Sequence, residues 1–599
     1  MFQTFRGFFR DLWMVARPYW VSENRWSGFG LLAAIVTMNL ALVYVSVRLN
    51  SWRNDFYNSL QAKNSEAFLH QIVIFTLIVT PAVIISVYRL YLNQMLQIRW
   101  RQFLTNDLIS KWLGNQNYYR LQLARAGTDN PDQRIAEDAH LYVSQTLGLT
   151  LGFISNVVSL FSFVSILWAL SGPLSFAIGA TTLTIPGYMV WVALLYSGFG
   201  TWITHRIGRP LALLNFNQQK FEANFRFSLL RLRENSEGAA LSKGEAQEAS
   251  VFKRRFVHIV DNWWGIMRRT KSLNWFTAAF GHSADIFPII VISPRFFAGS
   301  VLLGGLFQTS SAFGQVQGSM SWFVDAYTSL AEWKATVDRL VGFQAALGRC
   351  ESARSGIATG YDDGSALVVH NLDVDLPTGT PLLTGVRLKI GGCSTVLISG
   401  PSGSGKSTLL RAISGIWPFA RGSITFPRHS RHMFLPQRPY MPLGTLREAL
   451  IYPRHDDGGS SDARLTEALS LCGLQHLVGR LDEVESWSLQ LSPGEQQRLA
   501  FARALIQRPD WLFLDEATAA LDEPAEAVLY RLVRRELAQT AIVSIGHRLS
   551  LRQFHERGLR ISRHQNGSFL VEDEAAIGAV LEPWLPTPAE RLTEEIRCV

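Results

Sequence analysis

Hydrophobic and polar positions divide the chain near residue 345. Up to that point long apolar runs recur, at Gly28–Val47, Ile72–Tyr91, Leu147–Leu170 and Phe176–Phe199, with two more polar ones at Trp275–Phe297 and Val301–Tyr327. Crossing a bilayer takes about 20 apolar residues, so the pattern predicts six spanning helices. Gly172 and Pro173 mark a tight turn between the third and fourth runs. By contrast, Leu92–Thr146 and Gly200–Asn274 are long, polar and helical in composition. They are expected to continue the spans outward and to offer a contact surface to a following domain. Both are rich in Arg and Lys, among them Arg99, Arg101, Arg226 and Arg231, and excess positive charge marks the cytoplasmic side. Both chain ends are then cytoplasmic. Pro81, Pro186 and Pro288 fall inside predicted spans and are expected to kink them. Arg48, Arg295 and Asp325 lie near predicted ends, where snorkelling is the default.

Beyond residue 345 the pattern changes. Residues 346–365 are small and polar and read as a linker. Residues 366–575 read as a soluble α/β domain that begins with the strand-like stretch Leu367–Leu376, and 576–599 as a tail. The chain is 48% hydrophobic and 18% charged, more apolar than an ordinary soluble protein, and the excess sits before residue 345. The net charge of +9 follows from the membrane topology. No basic stripe interleaved with aromatics points to nucleic acid. Cys350, Cys393, Cys472 and Cys598 lack metal-ligand spacing, so the expectation is reduced thiols and no zinc site. The stretch Met1–Trp20 carries Arg6, Arg10 and Arg17 among aromatics and has no continuous apolar core. It does not read as a cleavable signal. It reads as an amphipathic helix on the membrane surface, an ordinary buried helix being the alternative.

Ionisable residues inside spans are costly and therefore candidates for function. In the fifth run His282 and Asp285 stand three residues apart, and Asn274 stands eleven residues before Asp285, so all three share a helix face. That face either lines a substrate or proton pathway or bonds to neighbouring helices.

The chemistry lies in the second half. Gly400, Pro401, Ser402, Gly403, Ser404, Gly405, Lys406, Ser407 and Thr408 spell the phosphate-loop pattern G-x-x-x-x-G-K-[ST]. The glycines let backbone N–H groups turn around a phosphate chain, Lys406 can reach its β- and γ-phosphates, and Ser407 can ligate Mg²⁺. A strand-like run, Ser394–Ser399, leads in and a helical run, Ser407–Ser414, leads out, which puts a triphosphate on a helix N-terminus. Downstream, Gln437 can touch Mg²⁺ and the attacking water. Ser492 and Gly494, in LSPGEQQR, can offer donors to a phosphate. Asp515 and Glu516 end the apolar strand WLFLDE, Asp515 to hold Mg²⁺ through water and Glu516 to polarise the attacking water. Asp522 follows in a turn, and His547, after the strand Ala541–Ser544, can contact the γ-phosphate.

This ordered set resembles the ATP-binding cassette (ABC) superfamily. Its phosphate loop, glutamine loop, signature, second carboxylate motif, D-loop and histidine switch match Gly400–Thr408, Gln437, Leu491–Glu495, Leu512–Glu516, Ala520–Asp522 and His547. The resemblance implies a head-to-tail dimer in which Ser492 and Gly494 of one chain close on ATP held by Lys406 of the other. One chain carries one set, so a homodimer is implied. NPDQRI, the Glu222–Glu248 stretch, PQRPYMPLGTLREALIYP and SIGHR resemble the SbmA/BacA-like (YddA-type) peptide-uptake proteins fused to an ATPase and the peroxisomal-type fatty-acyl-CoA transporters (ABCD-like). That implies an exporter-type helical transmembrane domain of six helices per chain, fused to an α/β P-loop ATPase. Two departures stand out. Leu376 and Pro377 occupy the neighbourhood of the family's adenine-stacking aromatic, and the signature carries Pro493 and Glu495 where Gly and Gln are common.

The expected protein is a homodimeric, ATP- and Mg²⁺-dependent transporter in a bacterial inner membrane. It would move peptides or other hydrophilic compounds such as cobalamin. The alternatives are export or flipping of an amphipathic lipid or fatty acyl-CoA, and a membrane ATPase that signals rather than transports.

Overall fold

The computed structural model describes residues 2–23, 25–123, 130–178, 181–352, 356–454, 461–563 and 569–574. The expected tail, 576–599, lies outside them. The chain forms two compact units, Met1–Lys111 with Thr128–Ala345, and Trp112–Gly127 with Ala346–Val599.

The first unit is built from long helices: α1 (Phe2–Val21), α2 (Arg25–Gln61), α3 (Ser65–Leu113), α4 (Ala139–Ser171), α5 (Tyr188–Glu234), α6 (Glu245–Phe297) and α7 (Leu303–Ser352). Four of these stretches, those containing α2, α3, α4 and α6, are long and apolar enough to cross a membrane. Their large side chains stand outward, for example Leu77 and Val87 of α3. Helices with such outward faces need an apolar medium, since a helix satisfies its own backbone and leaves only side chains to the solvent. α5 and α7 are equally long but more polar. α1 is helical and two-sided: Val15, Ala16, Tyr19 and Trp20 are buried while Trp13 and Met14 are exposed. Tyr19 stacks on Trp100 with ring centroids 5.7 Å apart, and Tyr142 donates its hydroxyl to the Leu12 carbonyl at 3.0 Å.

One predicted span is corrected. The run Phe176–Phe199 is not a single helix. Strands β1 (Pro173–Ile178) and β2 (Thr181–Pro186) pair antiparallel, and α5 starts only at Tyr188. Thr181, Thr182, Thr184 and Ile185 are β-branched and favour the extended backbone, a distinction hydropathy does not make. Pro186 ends β2 instead of kinking a helix. Gly187 has φ +63° and lies against the Trp168 ring, so a side chain there would meet both strain and a clash. Arg295 does not snorkel either. It donates to the Leu170 carbonyl at 3.3 Å and to the Ser171 carbonyl, capping the end of α4. Asp138 is buried and held by Arg134 at 2.7 Å and by both arms of Arg339 at 2.6 and 2.9 Å, which ties the NPDQRI stretch to α7.

The stretch read as a linker is largely ordered. Residues 346–352 continue α7, and β3 (Gly356–Asp362) follows. Phe343, Ala346, Leu347 and Cys350 are buried at the i, i+3, i+4, i+7 spacing of a helix face, which outweighs the small and polar residues between them.

The second unit holds a ten-stranded sheet. Its strands are β3, β4 (Ala366–Asp375), β5 (Pro381–Gly391), β6 (Thr395–Ser399), β7 (Ala420–Pro427), β8 (His432–Leu435), β9 (Trp511–Asp515), β10 (Ala541–Ile545), β11 (Arg557–Arg563) and β12 (Phe569–Glu574). The order is β3-β7-β4-β5-β12-β11-β6-β10-β9-β8. The run β11-β6-β10-β9-β8 is parallel throughout, so the carboxyl ends of β6, β9 and β10 lie side by side. In open α/β sheets that edge is where ligands bind. β6, β9 and β10 read almost entirely buried, as strands covered on both faces do. The tip of the first long connection belongs to this unit. Asn117–Leu123 is helical, Leu123 packs on the core cluster that includes Leu383 and Val396, and Arg120 donates to the Cys350 carbonyl at 3.4 Å.

Candidate active site

The parallel strands deliver three loops to one edge. After β6, Gly400, Gly403 and Gly405 take φ of +152°, +77° and +91°, backbone that favours glycine. A Cβ on Gly405 would stand 2.9 Å from Leu382. The loop then opens helix α8 (Lys406–Ile413). Pro401, Ser402 and Gly403 form the exposed crest, and Ser407 and Thr408 are half-buried in the helix. Lys406 is 5% exposed and its ammonium donates to the Gly400 and Pro401 carbonyls at 3.0 and 2.8 Å. Burial pulls its pKa below the ordinary lysine value, against the pull of Glu516 and Asp515. The buried Ser404 hydroxyl has no partner among the described residues.

Ser407 donates to Asp515 at 2.7 Å, joining the phosphate loop to the end of β9. Burial raises the Asp515 pKa, opposed by the Ser407 hydroxyl and Arg411. Glu516, next in the chain, has φ +49°, a strained conformation for a non-glycine residue, and its N–H bonds the Ile545 carbonyl at 3.1 Å. Its carboxylate accepts from Gln437 at 3.0 Å and meets His547 Nε2 at 3.2 Å. Glutamine loop, carboxylate and histidine therefore meet at one point, though more than a hundred residues separate Gln437 from His547. An amide, a carboxylate and an imidazole so placed can hold and polarise one water. Ser407 and Asp515 are hard oxygen donors suited to Mg²⁺. The glycine cradle and the unpartnered Ser404 hydroxyl fit a phosphate chain.

Ser492, Gly494 and Asp522 sit apart from this cluster. Ser492 is exposed at the start of helix α9 (Pro493–Gln507), in a capping box with Glu495. Glu495 Oε2 accepts from Ser492 N and Oγ at 2.9 and 2.8 Å. That is a structural reason for Glu495 at this position. Proline at the first helical position needs no N–H donor, which suits Pro493. Gly494 faces Leu521 and the Ala520 carbonyl. Asp522 caps helix α10 (Glu523–Glu536) through Ala525 N at 3.0 Å.

Sequence reasoning missed Gln497. It is 2% exposed, donates to the Gln437 carbonyl at 3.0 Å and accepts from Ala520 N at 3.0 Å. It thereby ties the signature helix to the glutamine loop and the D-loop. Its place in LSPGEQQR was visible, but its partners are far off in the chain. Arg548 was missed too. It donates to the Leu521 carbonyl at 2.8 Å and pairs with buried Glu526, linking the histidine loop to the D-loop.

In the membrane unit, Asp285 lines a cavity of about 420 Å³ with Arg53, Tyr57, Ser310, Ser311 and Gln315. His282 and Asn274 are exposed on the same helix and do not line it, so the three polar residues are not brought together in one cavity. Arg53, which bonds the Ser311 hydroxyl, was absent from the sequence argument.

Comparison with known proteins agrees with this architecture. The profile of the ABC transporter transmembrane region 2 matches residues 17–297 and that of the ABC transporter matches residues 383–519. The chain is 34% identical to the inner membrane ABC transporter ATP-binding protein YddA of Escherichia coli, over 89% of this chain and 93% of that one. It is 32% identical to ABC transporter D family member 2, chloroplastic, of Arabidopsis thaliana, over 92% and 86%. It is 30% identical to the lysosomal cobalamin transporter ABCD4 of Mus musculus, over 92% and 93%. The fold is similar to that of a bacterial Atm1-family ABC exporter with ATP bound, at a TM-score of 0.68 and 17% identity over 90% of this chain and 94% of that one. The chain belongs to the ABC transporters, as a membrane-embedded half-transporter of the ABCD/YddA type that dimerises and hydrolyses ATP, with Mg²⁺, to drive transport.

Proposed function

We propose that two copies of this chain form a homodimer in a bacterial inner membrane, termini in the cytoplasm, and use ATP to carry peptides or other hydrophilic compounds such as cobalamin. The observation that carries the homodimer is the split site. Lys406, Gln437, Glu516 and His547 are gathered at one sheet edge, whereas Ser492 stands exposed on a separate helix and bonds within its own cap. A second copy supplies the missing donors to each site. Glu516 polarises the attacking water, Gln437 and His547 orient it and the γ-phosphate, and Lys406 with the loop amides holds the β- and γ-phosphates. Ser407, Asp515 and Gln437 would hold Mg²⁺, whose positive charge would supply electrostatic stabilisation to the phosphates. Support for a hydrophilic cargo is the polar cavity around Arg53 and Asp285 and the likeness to a cobalamin transporter.

The test is transport in proteoliposomes with ATP supplied outside only, so that molecules with outward ATPase domains alone are active. Labelled cobalamin and a labelled cationic peptide are followed, with Glu516→Gln as control. Loss of preloaded compound from the lumen, dependent on ATP, is the expected result and means uptake toward the cytoplasmic side. Filling of the lumen would mean export, and brisk ATP hydrolysis with no movement of either compound would favour lipid cargo or a signalling ATPase.

A further inference from the structure

Glu495 brings a full negative charge to a motif that meets a phosphate, where the more common glutamine brings none. Both of its carboxylate oxygens are engaged. Oε2 accepts from the Ser492 N–H and hydroxyl at 2.9 and 2.8 Å, and Oε1 stands 3.0 Å from His476 Nε2. An ionised carboxylate only accepts, so Nε2 carries the hydrogen of that contact. Burial alone would raise the Glu495 pKa, but the Ser492 N–H and hydroxyl and the His476 ring outweigh it and hold the group below the ordinary glutamate value. Ser492 has one hydroxyl proton, and it is given to Glu495. His476 is aimed at this carboxylate by a fixed backbone. It lies in the 3₁₀ turn Gln475–Arg480, between Leu474 and Leu477, which are buried in the core cluster that also holds Leu491 and Leu499. Just before the turn, Gly473 has φ +73° and lies against Arg498, whose guanidinium donates to the Gly473 carbonyl at 3.4 Å. Arg498 and Glu495 stand three residues apart on α9 and share a face. With 56% of its side chain exposed, the imidazole adds little to the core, and its distinctive contact is the one with Glu495.

We propose that His476 is a positioning residue for ATP hydrolysis, acting through Glu495 on the signature donor Ser492. Its N–H holds Oε1 and so turns Oε2 toward the Ser492 hydroxyl. It also draws negative charge toward the oxygen that Ser492 does not use, since hydrogen bonds in a chain polarise one another. When ATP held by the second copy approaches, two anions compete for the serine proton, the carboxylate and the γ-phosphate. A carboxylate whose charge is drawn off by His476 releases that proton more readily. The hydroxyl then turns to the phosphate while the Ser492 N–H stays bonded to Glu495, so the cap of α9 survives the exchange. Without His476 the carboxylate keeps the proton, and its charge repels the phosphate at short range. The proposal rests on the split site of the homodimer, yet the two fail separately.

The experiment measures ATP hydrolysis by the full-length protein in lipid nanodiscs, with kcat and KM taken from ATP titrations at saturating Mg²⁺. His476→Ala should lower kcat about fivefold, the scale of a partly exposed charged contact. KM should change less than about twofold, because Lys406 and the glycine loop still hold the nucleotide. His476→Gln keeps an N–H donor at similar reach and should recover part of the loss. The deciding arm is Glu495→Gln, which should retain turnover. An amide carries no charge to offset, so adding His476→Ala to that variant should cost less than about twofold. An equal loss from His476→Ala with and without Glu495→Gln would show that the ring serves only the fold of its turn, and would overturn the proposal. So would a Glu495→Gln variant that does not hydrolyse ATP, since the carboxylate would then be needed rather than offset. Ser492→Ala separates the two readings. If it is impaired while His476→Ala runs at the wild-type rate, the role of His476 falls and the split site stands. If Ser492→Ala itself runs at the wild-type rate, both fall.

Discussion

Buried polar groups are treated differently in the stretch 346–574 and in the membrane unit. In the stretch 346–574 they are committed to one another. His555 uses both ring nitrogens, at 2.8 Å to the Leu551 carbonyl and 2.8 Å to Ser544. Glu526 serves Thr518, Ser550 and Arg548, and Gln497 spans two loops. Among the described residues of that stretch, the buried side-chain atom without a partner is the Ser404 hydroxyl, inside the phosphate loop. In the membrane unit Asp138 is saturated by two arginines, but Arg89, Asn93, Gln145 and Ser197 each leave a buried atom unanswered. Unpaired buried polar atoms are costly. In the stretch 346–574 the exception sits where a phosphate belongs, and that gives the exceptions in the membrane unit their interest: they mark positions that a water or a bound compound can complete. One unit performs a single reaction on a fixed ligand and is built closed around it, while the other must accept and release.

The sharpest way to break this contrast is at the carboxylate on which three loops converge. Glu516→Gln keeps the shape and the contacts to Gln437 and His547 but cannot polarise water as a base. Loss of a general base costs about 10²- to 10⁴-fold, so phosphate release should fall by that much while ATP binding, measured by filter retention of labelled nucleotide, persists. Hydrolysis at the wild-type rate would show that the convergence on Glu516 is structural.

That site was almost wholly legible from the chain. Phosphate binding requires glycines, a lysine and a hydroxyl at fixed spacing, and Gln437, Glu516 and His547 each follow a strand whose apolar run is itself visible. Gln497 and Arg548 were not legible, because what defines them is partners brought close only by the sheet order. The membrane unit was legible at the level of long apolar runs and no finer. Hydropathy took the threonine-rich strands 181–186 for part of a helix. Helical periodicity put Asn274, His282 and Asp285 on one face, but of the three it is Asp285 that lines the cavity beside Arg53, because which part of a face meets that space depends on α2 and α7. Nothing in the sequence pattern singles out Arg89; its contact with Asn39 does.

A second prediction tests how closed the ATPase core is. Burial, helped by the Arg534 cation and opposed by the Leu551 carbonyl, presses the His555 imidazole down to about 4, against about 6.5 in an unfolded chain. The folded state therefore holds this ring neutral while the unfolded state takes up a proton. The contribution is fully present above pH about 6.5 and is lost progressively as pH falls toward about 4, up to about 3 kcal/mol in all. Thermal unfolding of the full chain followed by tryptophan fluorescence between those limits should show the loss, and His555→Gln should flatten it. An unchanged slope in the variant would mean that the ring is reached by solvent and that the core is not closed.

The smallest effect expected is a gain. Asp515 is held half-buried beside Glu516, and burial raises its pKa, so its charge at neutral pH opposes folding even though that charge is what would hold Mg²⁺. Asp515→Asn retains an oxygen to accept from Ser407 and removes the charge. Without nucleotide it should stabilise the full chain by about 1 kcal/mol, as trading function for stability commonly does, read as a small rise in thermal midpoint. The sign follows from the raised pKa: the folded state favours the protonated acid, so wild-type stability should improve as pH falls through the folded pKa, and the asparagine variant should not share that improvement. With Mg²⁺ and ATP present the order should invert, because only the carboxylate gains from the metal. A variant less stable than wild type in both conditions would place the Ser407–Asp515 contact among the groups that hold the unit together, and the saturated pattern of the ATPase unit would then reflect folding needs even at its catalytic edge.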